Sequence, residues 1–275
     1  MSLYHRSPLH PRWGQALARM LDVYQKWTGR GSDRIVSRRV GSFWLELDLN
    51  EVIDSQLYYA GTFDPESIRV VRALVHTGDT VVDVGANIGW FTLHLAEQVG
   101  PTGSVLAFEP APPAVARLRE HVRRNDLSQV EVIPLALGER TEGPRHMRIQ
   151  SSYRLDGIDS DQEAEVATTT LDDYLQHHPV SRLQFIKIDT DGMEIAVLRG
   201  AEGTLRRYRP SLLFEVGADA LPQSASTSNG LLRMLQEQGY HFIRAGSLEP
   251  HTDVFASVAR IPRGTTLNLV AVPTT

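Results

Sequence analysis

From Thr80 onward the chain repeats one pattern: a short apolar run, a glycine or turn, then a segment whose apolar residues recur at helical spacing. TVVDVG precedes WFTLHLAEQ, SVLAFEP precedes PPAVARLREHVRRN, and VEVIPLALG follows. After a polar section come LQFIKID, MEIAVLRGAEGTLRRY and SLLFEV, and the chain closes with NGLLRMLQEQG, YHFIR and TLNLVAV. Short apolar strands alternating with amphipathic helices predict an α/β protein with a parallel sheet covered on both faces. Pro112 and Pro113 suit a first helical turn, and Val115, Leu118 and Val122 then share one face. Leu198, Ala201 and Leu205 share a face of the later segment, which is expected to be one helix from Met193 to Tyr208. Only a loop is expected between the last two strands, which should therefore pair antiparallel.

Two regions break this rhythm. Residues 12–27 place Ala16, Met20, Leu21 and Tyr24 at helical spacing, and IVSRRV and FWLELDL flank Gly41-Ser42 as a two-stranded piece. Residues 1–60 are thus expected to form a helix and hairpin cap on a main domain spanning 61–275. Residues 139–169 are polar and turn-rich, a pattern that suits a hairpin serving as a lid or a tolerated surface insertion.

The 275 residues, 41% hydrophobic and 22% charged, are enough to bury a substantial core. Lys plus Arg number 28 against 33 Asp plus Glu, for a formal charge of -5, so no cationic face for nucleic acid is expected. Without cysteine, disulfides, thiolate metal sites and cysteine nucleophiles are excluded. No apolar run approaches the roughly 20 residues that cross a bilayer, and MSLYHRSPLHPRW lacks the apolar core of a secretory signal, so a soluble cytoplasmic protein without a membrane partner is expected. Oligomeric state is not legible.

The chemistry concentrates at predicted strand ends. VVDVGANIGW puts Asp83, Gly85, Ala86, Asn87 and Gly89 at the carboxyl end of the first core strand, where open α/β sheets bind ligands and glycine lets a ligand approach the backbone. Glu109 and Pro110 end the second strand, and an acid there is suited to accept both hydroxyls of a ribose. A nucleoside-containing ligand follows. The loop reads G-A-N-I-G and lacks the G-x-G-x-x-G spacing that aims amides at a dinucleotide pyrophosphate. Adenosylmethionine carries no phosphate; its carboxylate can meet the following helix start, and Asp83 is a candidate partner for its ammonium. A tight turn without a ligand is the plain alternative.

Together VVDVGANIGWFTLHLA, AFEP, LDDYL, FIKIDTDGMEIAVLRGA and RPSLLFEV closely resemble the FkbM family of methyltransferases, over roughly residues 55–217, with Tyr58–Pro65 (YYAGTFDP) similar to the family's entry motif. The resemblance implies the class I methyltransferase (Rossmann-like) fold with seven strands, S-adenosyl-L-methionine as donor, and transfer to a hydroxyl of a small molecule, sugar, glycan or polyketide. Where the family usually reads D-V-E-G this chain reads D-T-D-G, so Asp191 stands in for a longer glutamate.

LQFIKID, as the fourth sheet strand, would place Asp189 beside the sulfonium and the acceptor. An alcohol is a poor nucleophile until a base removes its proton, and Asp189 is the first candidate for that base or for orienting the acceptor, as well as a cofactor contact. Lys187 shares its side of the strand and is a second candidate base, or else a structural ion pair. Glu215 ends the fifth strand and could line the acceptor pocket, whereas Glu194 suits the first turn of the next helix. No metal ligand is assigned, although Asp189, Asp191 and Glu215 offer the hard oxygens that some O-methyltransferases give to magnesium. His94 reads as a packing or surface residue, His177-His178 as a turn, and His251 and Asp253 as an isolated pair. Two other functions remain open: a nicotinamide oxidoreductase, disfavoured by the missing third glycine, and a noncatalytic module that binds adenosylmethionine.

Overall fold

The computed structural model describes residues 35–150, 161–190, 192–217, 224–262 and 265–274. The helix expected at 12–27, the tip of the insertion and Asp191 lie outside the described residues. The expected hairpin is present: β1 (Ile35–Val40) and β2 (Phe43–Asp48) pair antiparallel, with Val40 opposite Phe43. Gly41 supplies the positive φ, 58°, of its two-residue turn. Helices α1 (Val52–Ala60) and α2 (Pro65–Leu74) follow.

The alternation then begins: β3 (Thr80–Val84), α3 (Trp90–Val99), β4 (Ser104–Phe108), α4 (Pro112–Arg124) and β5 (Val130–Ile133). Strands β6 (Ala136–Leu137), β7 (Glu142–Gln150) and β8 (Asp161–Thr169) form a separate small sheet in which β7 and β8 pair antiparallel, so the insertion is a hairpin. After α5 (Leu171–His177) come β9 (Phe185–Ile188), α6 (Glu194–Arg199), α7 (Glu202–Tyr208) and β10 (Ser211–Gly217). The chain closes with α8 (Ser224–Glu237), β11 (Tyr240–Arg244), α9 (Val254–Ala259) and β12 (Thr266–Pro273).

Seven strands form the main sheet in the order β11-β12-β10-β9-β3-β4-β5. Neighbours from β10 to β5 pair parallel, and β12 runs antiparallel to both β10 and β11. This is the class I methyltransferase fold. The strand order reverses at β3, which lies between β4 and β9, and in such sheets the crevice for ligands opens at the carboxyl ends beside that reversal.

Alternation along each strand sends its side chains to two apolar clusters. Val82, Phe108, Ile186 and Phe214 face α5 to α9, while Val81, Val105, Phe185 and Leu213 face α1 to α3 and the hairpin. The same parity puts two polar residues, Asp83 and Lys187, on the second face.

Two expectations need correction. The helix expected from Met193 to Tyr208 is broken into α6 and α7 at Gly200-Ala201. A Cβ on Gly200 would stand 2.0 Å from the Gly138 carbonyl oxygen, so the chains touch there. Asp172 caps the new start, its carboxylate accepting from Gly203 N at 2.8 Å and Thr204 N at 2.6 Å. The connection between β11 and β12 contains α9, which buries Val254 and Val258, one turn apart, against the sheet.

Candidate active site

Three positive-φ residues shape the turn from β3 to α3: Gly85 at 73°, Asn87 at 50° and Gly89 at 98°. Gly85 is required on a second ground as well. A Cβ there would lie 1.9 Å from the backbone oxygen of Asp189, so the ends of β3 and β9 can meet only without a side chain. Gly85 N and Ala86 N both donate to Phe108 O at 3.0 Å, which ties the loop to β4. A Cβ on Gly89 would meet Leu118 Cδ1 at 2.5 Å, so this glycine also sets how closely α3 and α4 approach.

Glu109 follows β4 directly and is 7% exposed. Its Oε2 accepts from Asn87 N and its Oε1 from Ala111 N, each at 2.8 Å. Burial raises the Glu109 pKa, opposed by those two amides and by Lys187. One carboxylate thus fixes the glycine loop relative to the second strand. Pro110, the next residue, is half-buried.

At the end of β9 the register makes a charged cluster. Asp83 of β3 pairs with Lys187 of β9, whose other neighbour is Leu213 of β10. Lys187 Nζ lies 3.4 Å from Asp83 Oδ1 and 3.4 Å from Asp189 Oδ2, and donates to Gly85 O at 3.2 Å. It also sits 4.8 Å from the Phe91 ring centroid. Asp83 is fully buried; its Oδ2 accepts from Thr92 Oγ1 at 2.6 Å, while Oδ1 meets Lys187 through charge without a formed hydrogen bond. Burial opposes the ammonium, but Asp83 and Asp189 outweigh it, and the Lys187 pKa stands above that of an ordinary lysine. A lysine held charged in this way is not poised to accept a proton. Of the two roles open to Lys187 in the sequence, the geometry favours the ion pair.

Residues 83–242 match the Methyltransferase FkbM domain, well over half of the chain. The chain belongs to the FkbM methyltransferase family. Relatives include Methyltransferase 1 of Beauveria bassiana (strain ARSEF 2860), 28% identical over an alignment of 145 residues that covers 44% of this chain and 58% of that protein. Another is the 31-O-demethyl-FK506 methyltransferase FkbM of Streptomyces tacrolimicus, 28% identical over 181 residues, covering 54% of this chain and 69% of that one. The match to the Beauveria protein thus takes in less than two thirds of its length. A crystal structure of methyltransferase FkbM from Methylobacillus flagellatus KT aligns over 94% of this chain and 60% of that one, with 18% identity and a TM-score of 0.48.

In this FkbM chain the remaining candidates divide. Asp189 is at the crevice, its side chain 41% exposed. Glu215 has the parity of Leu213 and so the same sheet face as Lys187, but it pairs with Asn268 of β12 and is not among the residues lining the crevice. Glu194 accepts from Thr190 N, Thr190 Oγ1 and Gly192 N at 2.8, 3.1 and 3.1 Å, holding the loop after β9 as a cap does. Among the described residues no group of three or more His, Asp or Glu side chains is gathered to hold a metal ion. None of the described helices is long and apolar enough to cross a membrane.

The crevice itself, about 10 Å³ of water-sized space, is lined by Lys187, Asp189, Phe91 and Leu213 and also by Asp64, Ser67 and Asn268, which strand-end reasoning did not find. Two faint signals were available. Asn268 is a lone amide in the apolar run TLNLVAV, and Asp64-Pro65 has the form of a helix cap. The histidines lie apart: His94 is buried in packing, His178 stacks on Tyr174, and His251 bonds Ser257 Oγ at 3.0 Å.

Proposed function

We propose that this FkbM-family chain is an S-adenosyl-L-methionine-dependent O-methyltransferase acting on a hydroxyl of a small molecule, a sugar or glycan, or a polyketide-type product. The observation that carries it is Glu109, a carboxylate fastened by the glycine loop's own amide at the reversal of strand order. The donor set fits a nucleoside with an amino-acid tail: an acid for ribose hydroxyls, and a strand-to-helix loop without the phosphate-binding triple glycine. Gly85, Ala86, Asn87, Gly89, Glu109 and Pro110 would hold it, with Asp83 acting from beneath through Lys187 and Thr92.

When bound, adenosylmethionine supplies a methyl group activated by a sulfonium. With the donor bound, Asp189 would receive the acceptor's hydroxyl proton on a carboxylate oxygen, or orient that hydroxyl, while the acceptor oxygen gains the methyl and the sulfonium is released as a neutral sulfide. Lys187 fixes the Asp189 carboxylate by charge, and Phe91, Leu213 and Phe214 line the crevice with apolar surface that restricts water. Holding the reactants in line supplies a further share of the rate, since effective molarities of about 10⁵ M or more are attainable. The name of the Streptomyces relative, which specifies an O-demethyl acceptor, supports the hydroxyl class.

Titration calorimetry with adenosylmethionine, adenosylhomocysteine and NAD tests the donor. Binding of the first two is expected. Tight NAD binding with no response to either adenosyl compound would overturn the proposal, and donor binding with no methyl transfer to any hydroxylated acceptor would favour the noncatalytic module.

A further inference from the structure

The first four residues of the glycine loop are each tied by a polar partner. Gly85 N and Ala86 N donate to Phe108 O, Asn87 N donates to Glu109 Oε2, and Ile88 O faces His121 Nδ1 at 2.7 Å. The partners of the first three stand at the end of β4. The fourth partner does not: His121 belongs to α4, is fully buried, and its other nitrogen, Nε2, accepts from Glu46 N of β2 at 2.9 Å. A neutral imidazole has one donor and one acceptor, so the amide that uses Nε2 leaves the proton on Nδ1, and the ring donates to Ile88 O. One side chain thus bridges the hairpin and the glycine loop. The residues four before and four after it serve the hairpin as well. Arg117 Nη2 donates to Glu46 O at 2.7 Å, and Asn125, the C-cap of α4, accepts from Trp44 N at 2.8 Å and donates to Trp44 O at 2.9 Å. Trp44 and Glu46 are alternate residues of β2 whose backbone groups turn away from β1, so these three side chains take the place of a third strand along that edge.

Arg117 and Asn125 touch the hairpin alone, whereas His121 adds the contact with the loop. That contact is made to Ile88, which belongs to the same apolar cluster as Phe43, Leu45 and Leu47 of β2, so the loop meets the hairpin by packing at the point where the imidazole joins them. We propose that His121 is a positioning residue for the donor: by donating to Ile88 O it sets the glycine loop, and by accepting from Glu46 N it makes donor affinity depend on the docked hairpin. This rests on the adenosylmethionine-dependent function proposed above and adds to it a role for the N-terminal hairpin. Coupling between two sites is reciprocal, so the donor tightens the hairpin by the factor by which the hairpin tightens the donor.

The first test needs no variant. Residue-resolved hydrogen exchange is followed in the wild type at pH 7.5 with and without saturating adenosylhomocysteine. The Glu46 amide is expected to slow by about fivefold or more, the low end of usual coupling, and by more than the amides of β11 at the far edge of the sheet. Two variants then divide the imidazole. A glutamine amide reaches the place of Nε2 and an asparagine amide that of Nδ1, so His121→Gln keeps the hairpin bond and loses the loop bond, whereas His121→Asn does the reverse. Calorimetry with adenosylhomocysteine should give an affinity about fivefold or more below wild type for His121→Gln and a smaller loss for His121→Asn. In both, the slowing of Glu46 on binding should fall to that of β11. A residue that only supports the fold would not give this order, since each variant leaves one buried backbone group unpaired. The proposal is overturned if adenosylhomocysteine slows Glu46 no more than β11 in the wild type, if His121→Gln binds it as tightly as wild type, or if His121→Asn loses at least as much affinity as His121→Gln. A wild type that fails to bind adenosylhomocysteine overturns the parent function too, and so is distinguished from failure of the His121 assignment alone.

Discussion

A lysine ammonium buried as deeply as that of Lys187 persists only against counter-charge, and its two carboxylates are not equivalent. Asp83 is fully buried, whereas the Asp189 side chain is 41% exposed. Removing one partner of a buried pair leaves the other uncompensated, so Lys187→Met should destabilise the protein by about 3–5 kcal/mol in urea unfolding. Adding Asp83→Asn to that variant should recover part of the loss; no recovery would mean that Asp83 is not the main counter-ion. Asp189 lies in solvent-screened surroundings, where pairs contribute about 1 kcal/mol or less, so Asp189→Asn should barely move stability. Its effect belongs to chemistry: if Asp189 takes the acceptor's proton, turnover should fall by about 10²–10⁴-fold with donor affinity little changed. Full turnover would remove Asp189 as an essential base. For Glu109→Ala the order reverses, and a loss of about tenfold or more in adenosylmethionine affinity is expected by calorimetry, since a charged acceptor of hydrogen bonds is lost and the loop amides of Asn87 and Ala111 lose their partner.

Between elements, the tightest constraint is the contact of the β3 turn with the end of β9. Gly85→Ala places a methyl where the Asp189 carbonyl stands and requires a φ of 73°, so the two strand ends must separate. We expect a destabilisation of at least about 1–3 kcal/mol by thermal unfolding, together with a loss of turnover, because Asp189 moves with its backbone. Loss of stability with turnover intact would show that the approach is not what sets Asp189 in place. That glycine, like Asp83, Glu109 and Asp189, was legible in the sequence because a strand end announces itself: a run of Val or Ile stops at a glycine or an acid. The alternation of strands and helices was legible for the same reason. The break at Gly200 was not, since helical spacing continues from Leu198 through Leu205 and the cause, the Gly138 carbonyl, lies in another element. The crevice's other wall was hidden more deeply. Asp64 and Asn268 are 204 residues apart, and only the antiparallel return of β12 beside β10 brings them together.

Across the whole molecule, two buried histidines join the N-terminal hairpin to the methyltransferase sheet, and they make that junction sensitive to acid. His94 packs edge-on against Phe43 of the hairpin, with ring centroids 4.9 Å apart; among the described residues its two ring nitrogens have no formed hydrogen bond, and Glu97 Oε2 lies 3.8 Å from Nδ1. Burial, helped by Arg72 and opposed by Glu97, lowers its pKa to about 4. His121 accepts from Glu46 N of β2 at 2.9 Å through Nε2, and its Nδ1 faces Ile88 O at 2.7 Å, so the neutral ring carries its proton on Nδ1. Burial lowers the His121 pKa also. Both rings are neutral in the folded chain and titrate near 6.5 when it unfolds, so the stability they contribute is complete above pH 6.5 and is lost as pH falls toward their folded values. For His94 the span from 6.5 to about 4 corresponds to about 3 kcal/mol. Glu109 and Asp54, whose pKa values burial raises, act in the opposite sense above their ordinary range near pH 4, so the net acid limb is shallower than the histidines alone would give. The histidine share is isolated by difference. Urea unfolding of the wild type and of His94→Leu at pH 7.5, 5.5 and 4.5 should show the variant losing less stability on acidification, the difference between the two proteins changing by about 2.5 kcal/mol between pH 7.5 and 4.5 in the variant's favour. In wild-type protein, hydrogen exchange at the Glu46 amide should quicken over the same range ahead of amides in β3, as protonated His121 can no longer accept from it. Parallel curves for the two proteins, with Glu46 and β3 exchanging in step, would mean that the hairpin is not held by neutral histidines.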